Sequence, residues 1–352
     1  IRRSHDNFLM KGAFTLANLH YYVTGNTAKG LVNHLETNLH HVSRIIALQH
    51  PSARLNTAII EKLAEQYKNN HLEILESSLG NDYLDGIIIR EKSLAFLDER
   101  IATKSTETIN LATSFPVEEQ DLTEVKHLTK QAYDSFAEGL KIHDDLEDIY
   151  INQMDFDHAN AFAEQFIDDL LNNIQKKNRT PHTYTRLFGT NTADGVVNVV
   201  PHLIKDIKNV YYIKGRAGTG KSVFMKKIAA ACESHGFDVE RYNCSFDPSS
   251  IDMVLVRELD FCIFDSTNPH EFFPGREGEV IVDLYEELIA PGTDEKFETD
   301  ISELNTRYKS CMKQGIRYLK EAGDYRRKIE ETYMKHFTDE AITKAAESIQ
   351  SK

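Results

Sequence analysis

Residues Gly215, Arg216, Ala217, Gly218, Thr219, Gly220, Lys221 and Ser222 read G-x-x-x-x-G-K-S, an order of residue types suited to holding phosphate. The glycines let successive backbone N–H groups turn inward as a nest for phosphate oxygens. Lys221 can reach the β- and γ-phosphates, and the Ser222 hydroxyl can sit on Mg²⁺. Asp265 ends the apolar run Phe261-Cys262-Ile263-Phe264. A carboxylate at the carboxyl end of a core strand faces the phosphate crevice and can hold Mg²⁺ through water. The next loop carries His270. It could orient water, contact the γ-phosphate or bind substrate, and a solvent-exposed loop histidine fits equally well.

Asp247 could take the proton of a substrate hydroxyl, although Asp247-Pro248-Ser249-Ser250 reads better as a turn and helix start. Arg216, Arg257 and Arg276 could stabilise transferred phosphoryl charge. Arg257 recurs as Arg90 earlier in the chain, which favours a structural role at least as much. No glutamate follows Asp265 directly, so a strong power-stroke motor is disfavoured and the general base is unassigned.

Two flanking elements must position the loop. Asn209-Val210-Tyr211-Tyr212-Ile213 is a β-branched and aromatic run, as expected of a buried parallel strand. From Val223 to Cys232 the apolar spacing is helical, with Phe224, Ile228 and Ala231 on one face, and this helix adds the positive end of its dipole. Strand, loop and helix form the context the motif requires.

The chain has 352 residues, 41% hydrophobic and 27% charged, which fits a globular protein of two domains. No apolar run is long enough to span a bilayer, and the N-terminus shows no signal-peptide pattern. The net charge of -14 argues against nucleic acid as the default partner. Cys232, Cys244, Cys262 and Cys311 lack metal-ligand spacing, and reduced cysteines in a cytoplasmic protein are expected.

The chain repeats itself at an offset of 165. Asn26-Thr27-Ala28-Lys29-Gly30 falls on Asn191-Thr192-Ala193-Asp194-Gly195, and Ile45 to Leu48 falls on Val210 to Ile213. After a two-residue slip, Asp85 falls on Asp252, Ile87 to Glu91 on Val254 to Glu258, and Leu94 to Asp98 on Phe261 to Asp265. Two homologous halves follow, 1–178 and 179–352, with the Lys176 to Pro181 stretch as the hinge. Alternating strands and helices imply an α/β fold with a parallel sheet in each half.

Each half ends in a helical section. Leu304, Tyr308, Cys311, Gly315, Tyr318, Ala322, Tyr325 and Ile329 step by four and three, a seam for another helix. A hairpin with a shorter helix at 338–350 is the expected partner, in preference to an oligomer interface. The first half has counterparts at 121–151 and 156–177.

At the P-loop position the first half reads His50-Pro51-Ser52-Ala53-Arg54-Leu55-Asn56-Thr57. Side chains replace the glycines and Asn56 replaces the lysine, so ordinary NTP binding there is expected to be lost. The Asn-Thr-Ala-x-Gly element, the P-loop and the segment Asp265 to His270, in tandem halves, resemble a poorly characterised group of bacterial tandem P-loop proteins described as ATPases or nucleotide-kinase-like. The first half departs from that pattern. The resemblance implies two P-loop NTPase-like domains. The residues themselves point to an ATP and Mg²⁺ site in the second half and to slow or partner-gated hydrolysis. Phosphotransfer to a small molecule or nucleotide, or a nucleotide-gated interaction module, are the alternatives. A protein partner or second copy would bind through the helical sections.

Overall fold

The computed structural model describes residues 18–111, 119–268 and 271–350. In the first half, β1 (Leu19–Tyr22) leads into a hairpin of β2 (Thr24–Thr27) and β3 (Gly30–Asn33), then α1 (Leu35–Asn38), β4 (Arg44–Gln49) and α2 (Ala53–Gln66). Four strands follow, β5 (Glu73–Glu76), β6 (Leu84–Ile89), β7 (Leu94–Asp98) and β8 (Glu107–Asn110), then helices α3 (Glu119–Ile151) and α4 (Phe156–Leu171).

The second half repeats this order. It runs β9 (Thr183–Leu187), β10 (Gly189–Thr192), β11 (Gly195–Asn198), α5 (Val200–Ile204), β12 (Asn209–Lys214), α6 (Lys221–Ser234), β13 (Val239–Asn243), β14 (Ile251–Val256), β15 (Phe261–Asp265) and β16 (Glu279–Asp283). Helices α7 (Leu284–Leu288), α8 (Thr293–Lys296), α9 (Glu298–Met334) and α10 (Asp339–Gln350) complete it.

The two halves share one sheet of 12 strands in the order β16-β12-β15-β14-β13-β9-β1-β5-β6-β7-β4-β8. Read outward from the centre, the two sides have the same strand sequence. They meet where Tyr22 of β1 opposes Leu187 of β9 in antiparallel pairing.

The sheet is mixed rather than purely parallel: β6 and β14 run antiparallel to both neighbours. The reason is connection length. Only Arg90 to Ser93 separates β6 from β7, and only Arg257 to Asp260 separates β14 from β15. Four residues close a hairpin but cannot cross over to a parallel neighbour. Both hairpins turn on a left-handed residue, Ser93 at φ 51° and Asp260 at φ 52°.

The repeated Asn-Thr-Ala-x-Gly element is a joint between the halves. The hairpins β2–β3 and β10–β11 pair into a four-stranded sheet, with Asn26 opposite Asn191. Asn26 Nδ2 donates to the Asn191 carbonyl at 2.7 Å, and Asn191 Nδ2 donates to the Asn26 carbonyl at 2.9 Å. The buried Arg186 adds a second link, from Asn38 Oδ1 of the first half at 2.9 Å to Glu240 of the second at 2.6 Å. One face of the sheet carries a hydrophobic core that runs through both halves, joining Tyr21, Leu35 and Leu97 with Val200, Leu203 and Tyr242.

The helical sections are exchanged, not folded back as hairpins. α9 packs along α3 of the other half, not on α10. The seam is tight at Gly315, where an added Cβ would lie 2.3 Å from Phe136 Cε1. α10 sets Ile342, Ala346 and Ile349 against Leu55, Ile59 and Leu63 of the first half. α4 sets Phe162, Ala163 and Phe166 against Phe224 and Ile228 of the second. An amphipathic stripe demands an apolar partner but does not name it.

The stretch proposed as a hinge is pinned instead. Lys177 N donates to the His235 carbonyl at 2.8 Å, and Arg179 Nε donates to the Gly236 carbonyl at 2.8 Å. Among the described residues, no helix is long and apolar enough to cross a membrane.

Candidate functional site

β12 delivers the chain into Gly215–Gly220, and α6 begins at Lys221. Gly218 (φ 73°) and Gly220 (φ 80°) take the left-handed conformation that a nest of inward amides requires. β12 lies between β15 and β16, parallel to both, with Ile213 beside Asp265. The loop, the Lys221 side chain and Asp265 therefore meet at the carboxyl ends of adjacent strands, where ligands of open α/β sheets bind. Lys221 Nζ stands 3.6 Å from Asp265 Oδ2 and donates to the Arg216 carbonyl at 2.6 Å. Asp265 Oδ1 accepts from the Thr267 amide at 3.1 Å and hydroxyl at 2.6 Å.

The other predicted groups separate into near and distant. Ser222 lies at the site, and its Oγ accepts the Ile251 amide at 3.0 Å. In the first half Thr57 Oγ1 accepts the Leu84 amide at 2.9 Å in the same way. The hydroxyl thus anchors the start of β14 or β6, which explains why it persists where the glycines are gone. Thr219 Oγ1 donates to the Arg216 carbonyl at 2.9 Å and stiffens the loop around Ala217 and Gly218. Arg216 points away, paired with Asp294 at 3.0 Å and lying over the Tyr285 ring. Arg257 pairs with Glu240, as Arg90 does with Glu73. Arg276 pairs with Glu279 at 2.7 Å and donates to the carbonyls of Ile204 and Lys205. His270 lies outside the described residues.

Asp247 forms a turn and starts no helix. It accepts from the Ser249 amide and hydroxyl and pairs with Lys29 at 3.1 Å. Burial would raise its carboxyl, but the Ser249 bonds and Lys29 outweigh it and hold the group below the usual range.

Two groups that the motif does not contain complete the site. Asp252 stands opposite Asp265 across the β14–β15 pair, whose register sets Met253 beside Phe264. Burial, and then the Asp265 charge, push its carboxyl up to about 7. Glu147 arrives from α3, across the exchange of helices. Its backbone lies so close to the loop that a Cβ on Gly218 would meet the Glu147 carbonyl at 2.3 Å. Its carboxylate lies near the Gly218 amide, and burial followed by Asp144 raises its pKa overall, against a slight lowering by that amide. His143, one turn earlier, is held below its usual value by burial and then by Lys221.

The equivalent position in the first half shows what this arrangement means. Glu330 of α9 reaches the start of α2 there. It is buried (2% exposed) and accepts from the Ser52 hydroxyl, the Ala53 amide at 3.0 Å and the Arg54 amide at 3.3 Å. Asn56, in the lysine position, donates to Asp98 at 3.0 Å, and Arg100 clamps Asp98 through Nε at 2.9 Å and its amino group at 2.8 Å. His50 fills the first glycine position and packs edge-on to Tyr333 and Phe337.

So the first half satisfies its anion-binding amides and its aspartate internally. In the second half Lys221 stands 3.6 Å from Asp265, and its charge also acts on the carboxylates of Asp252 and Glu147. That surplus of carboxylate beside the glycine loop is of the kind that attracts a divalent cation. The sequence held a trace of the missed pair: Leu146-Glu147-Asp148-Ile149-Tyr150 recurs as Ile329-Glu330-Glu331-Thr332-Tyr333, out of step with the 165-residue offset.

Comparison of the chain with protein-family models, with curated proteins and with solved structures gives no match.

Proposed function

We propose that the second half binds a nucleoside triphosphate, ATP in the first instance, together with Mg²⁺, and hydrolyses it slowly or under control of a partner. The observation that carries this reading is the contrast between the two equivalent positions. Where the glycines and lysine are kept, the charge of Lys221 acts on three carboxylates, and the amides around Gly218 and Gly220 surround a nest. Where they are lost, Asn56 and Arg100 bond Asp98, and Glu330 takes the amides at the start of α2.

In this reading the amides of Ala217 to Ser222 and the Lys221 ammonium bind the β- and γ-phosphates. Ser222 and Asp265 would hold Mg²⁺, which supplies charge neutralisation at the transferred phosphoryl group. Asp252, beside Asp265, keeps the crevice negative enough to favour a divalent ion. Slow or gated turnover is supported by Glu147, whose backbone packs against Gly218 and whose carboxylate stands beside that amide. Hydrolysis is preferred to phosphotransfer because Asp247 is already bonded to Ser249 and Lys29.

The test is binding of Mg·ATP to the full chain with product analysis. Saturable binding and release of inorganic phosphate, both lost in Lys221→Ala, are expected. A phosphorylated acceptor found in a screen of nucleosides and nucleotides would replace hydrolysis with kinase activity. Unchanged affinity in Lys221→Ala would overturn the reading.

A further inference from the structure

The first half keeps a crevice although its phosphate nest is filled. A cavity of ≈ 210 Å³ opens at the carboxyl end of β5 and β7, walled by Thr24, Ser77, Ser78, Asp85, Arg100 and Arg326. Two guanidinium groups face it. Arg100 spends Nε and one amino group on Asp98, which leaves its other amino group free. Arg326 comes from α9 and makes no hydrogen bond or ion pair with any of the described residues. The charged and titratable groups around it are Arg100, Tyr83, Glu330 and Tyr133.

The chain offers Arg326 no carboxylate of its own. Asp98 is taken by Arg100, Glu330 by the amides of α2, and Asp85 by Thr24 at 2.5 Å and by Ser77. A half-buried guanidinium with no carboxylate partner gives up part of its hydration without an ion pair in return, a cost to the fold. The cost grows when a second guanidinium stands beside it: burial, and then Arg100, depress the Arg326 pKa. The corresponding place in the second half has no such pair, with Thr267 two residues after Asp265 and His143 on α3. The two crevices therefore have opposite demands, one for a cation and one for an anion.

We propose that the first-half cavity binds a small oxyanion of phosphate size, held by Arg326, the free amino group of Arg100 and the Ser78 hydroxyl. Thr24 commits its proton to Asp85 at 2.5 Å, and the Ser78 hydroxyl, 3.2 Å from Thr24 Oγ1, stands at the cavity wall where it can turn to a ligand. A nucleoside triphosphate is not the occupant, because Glu330 and His50 fill the nest it would need. The site stands independently of the second-half reading.

The experiment is a calorimetric titration of inorganic phosphate into the full chain, its Arg326→Met variant and its Lys221→Ala variant. Saturable binding that survives Lys221→Ala and weakens roughly tenfold or more in Arg326→Met is expected. Without phosphate, Arg326→Met should melt at the same temperature as the parent or higher, since it removes an unpaired charge. That readout separates a lost site from a lost fold. Competition by glycerol 3-phosphate would identify an organic monophosphate as the source, and its absence would leave free phosphate. Equal phosphate affinity in Arg326→Met, loss of all phosphate binding in Lys221→Ala, or no saturation by about 10 mM would overturn the proposal.

Discussion

Replacing Glu147 should tighten nucleotide binding, although the residue lies in the first half of the chain. Its carboxylate stands beside the Gly218 amide, one of the donors a phosphate would use, and would compete for it. Phosphate entry must break that contact and bring two anions together. A hydrogen bond to a charged acceptor is worth about 1.5–3 kcal/mol. Glu147→Ala therefore removes a competitor worth that much, a gain of roughly 10- to 100-fold in Mg·ATP affinity. Glu147→Gln keeps an acceptor but loses the charge, which about halves the bond strength, so a gain of roughly 3- to 10-fold is expected. Fluorescence titration with a labelled ATP analogue, checked by calorimetry with ATP, reads this directly. Melting temperatures show whether the α3 contact with the loop still forms. If both variants bind Mg·ATP as the parent does, or more weakly, the carboxylate is not a competitor.

Three further outcomes test the fold and the electrostatics. Glu330→Ala strips the acceptor from Ser52 and from the amides of Ala53 and Arg54, and should cost about 2–3 kcal/mol in urea unfolding. Gly315→Ala places a methyl against the Phe136 ring. Overpacking of about 1–3 kcal/mol should outweigh the gain of about 1 kcal/mol in helix propensity, so a net loss of stability is expected. Asp252 has a folded pKa of about 7 against 3.8 for the unconstrained group, so folding takes up a proton between those values. Its ionisation destabilises the fold as pH rises through 7, and the effect vanishes below 3.8. Asp252→Asn should gain stability relative to the parent between pH 5 and pH 8, measured by urea midpoints at about those two pH values. Equal differences at both would contradict the assignment.

The sequence was most informative where local chemistry sets the structure. The run from Asn209 through Cys232 named its own strand, nest and helix, and the repeat placed Asp265 beside them. It also showed that His50 to Thr57 could not form a nest. What it left open depends on contacts remote in the chain. The apolar steps from Leu304 to Ile329 required a partner helix, and the nearest candidate in sequence, α10, was the wrong one. Periodicity describes one face of a helix and is silent on what covers it. The exchange of α3 and α9 is also what brings Glu147 and Glu330 to the loops, so those residues could not be read from the motif. The antiparallel β6 and β14 were within reach, because four-residue connections exclude a crossover. Asn26 and Asn191 stood out as a repeated motif, yet their role is to bond each other across the junction.

The asymmetry between the halves is the central claim, and the stoichiometry of Mg·ATP binding tests it most directly. Calorimetry on the full chain should give one nucleotide per chain, lost in Lys221→Ala and unaffected by Asn56→Ala. Two nucleotides per chain, or one that survives Lys221→Ala, would contradict it.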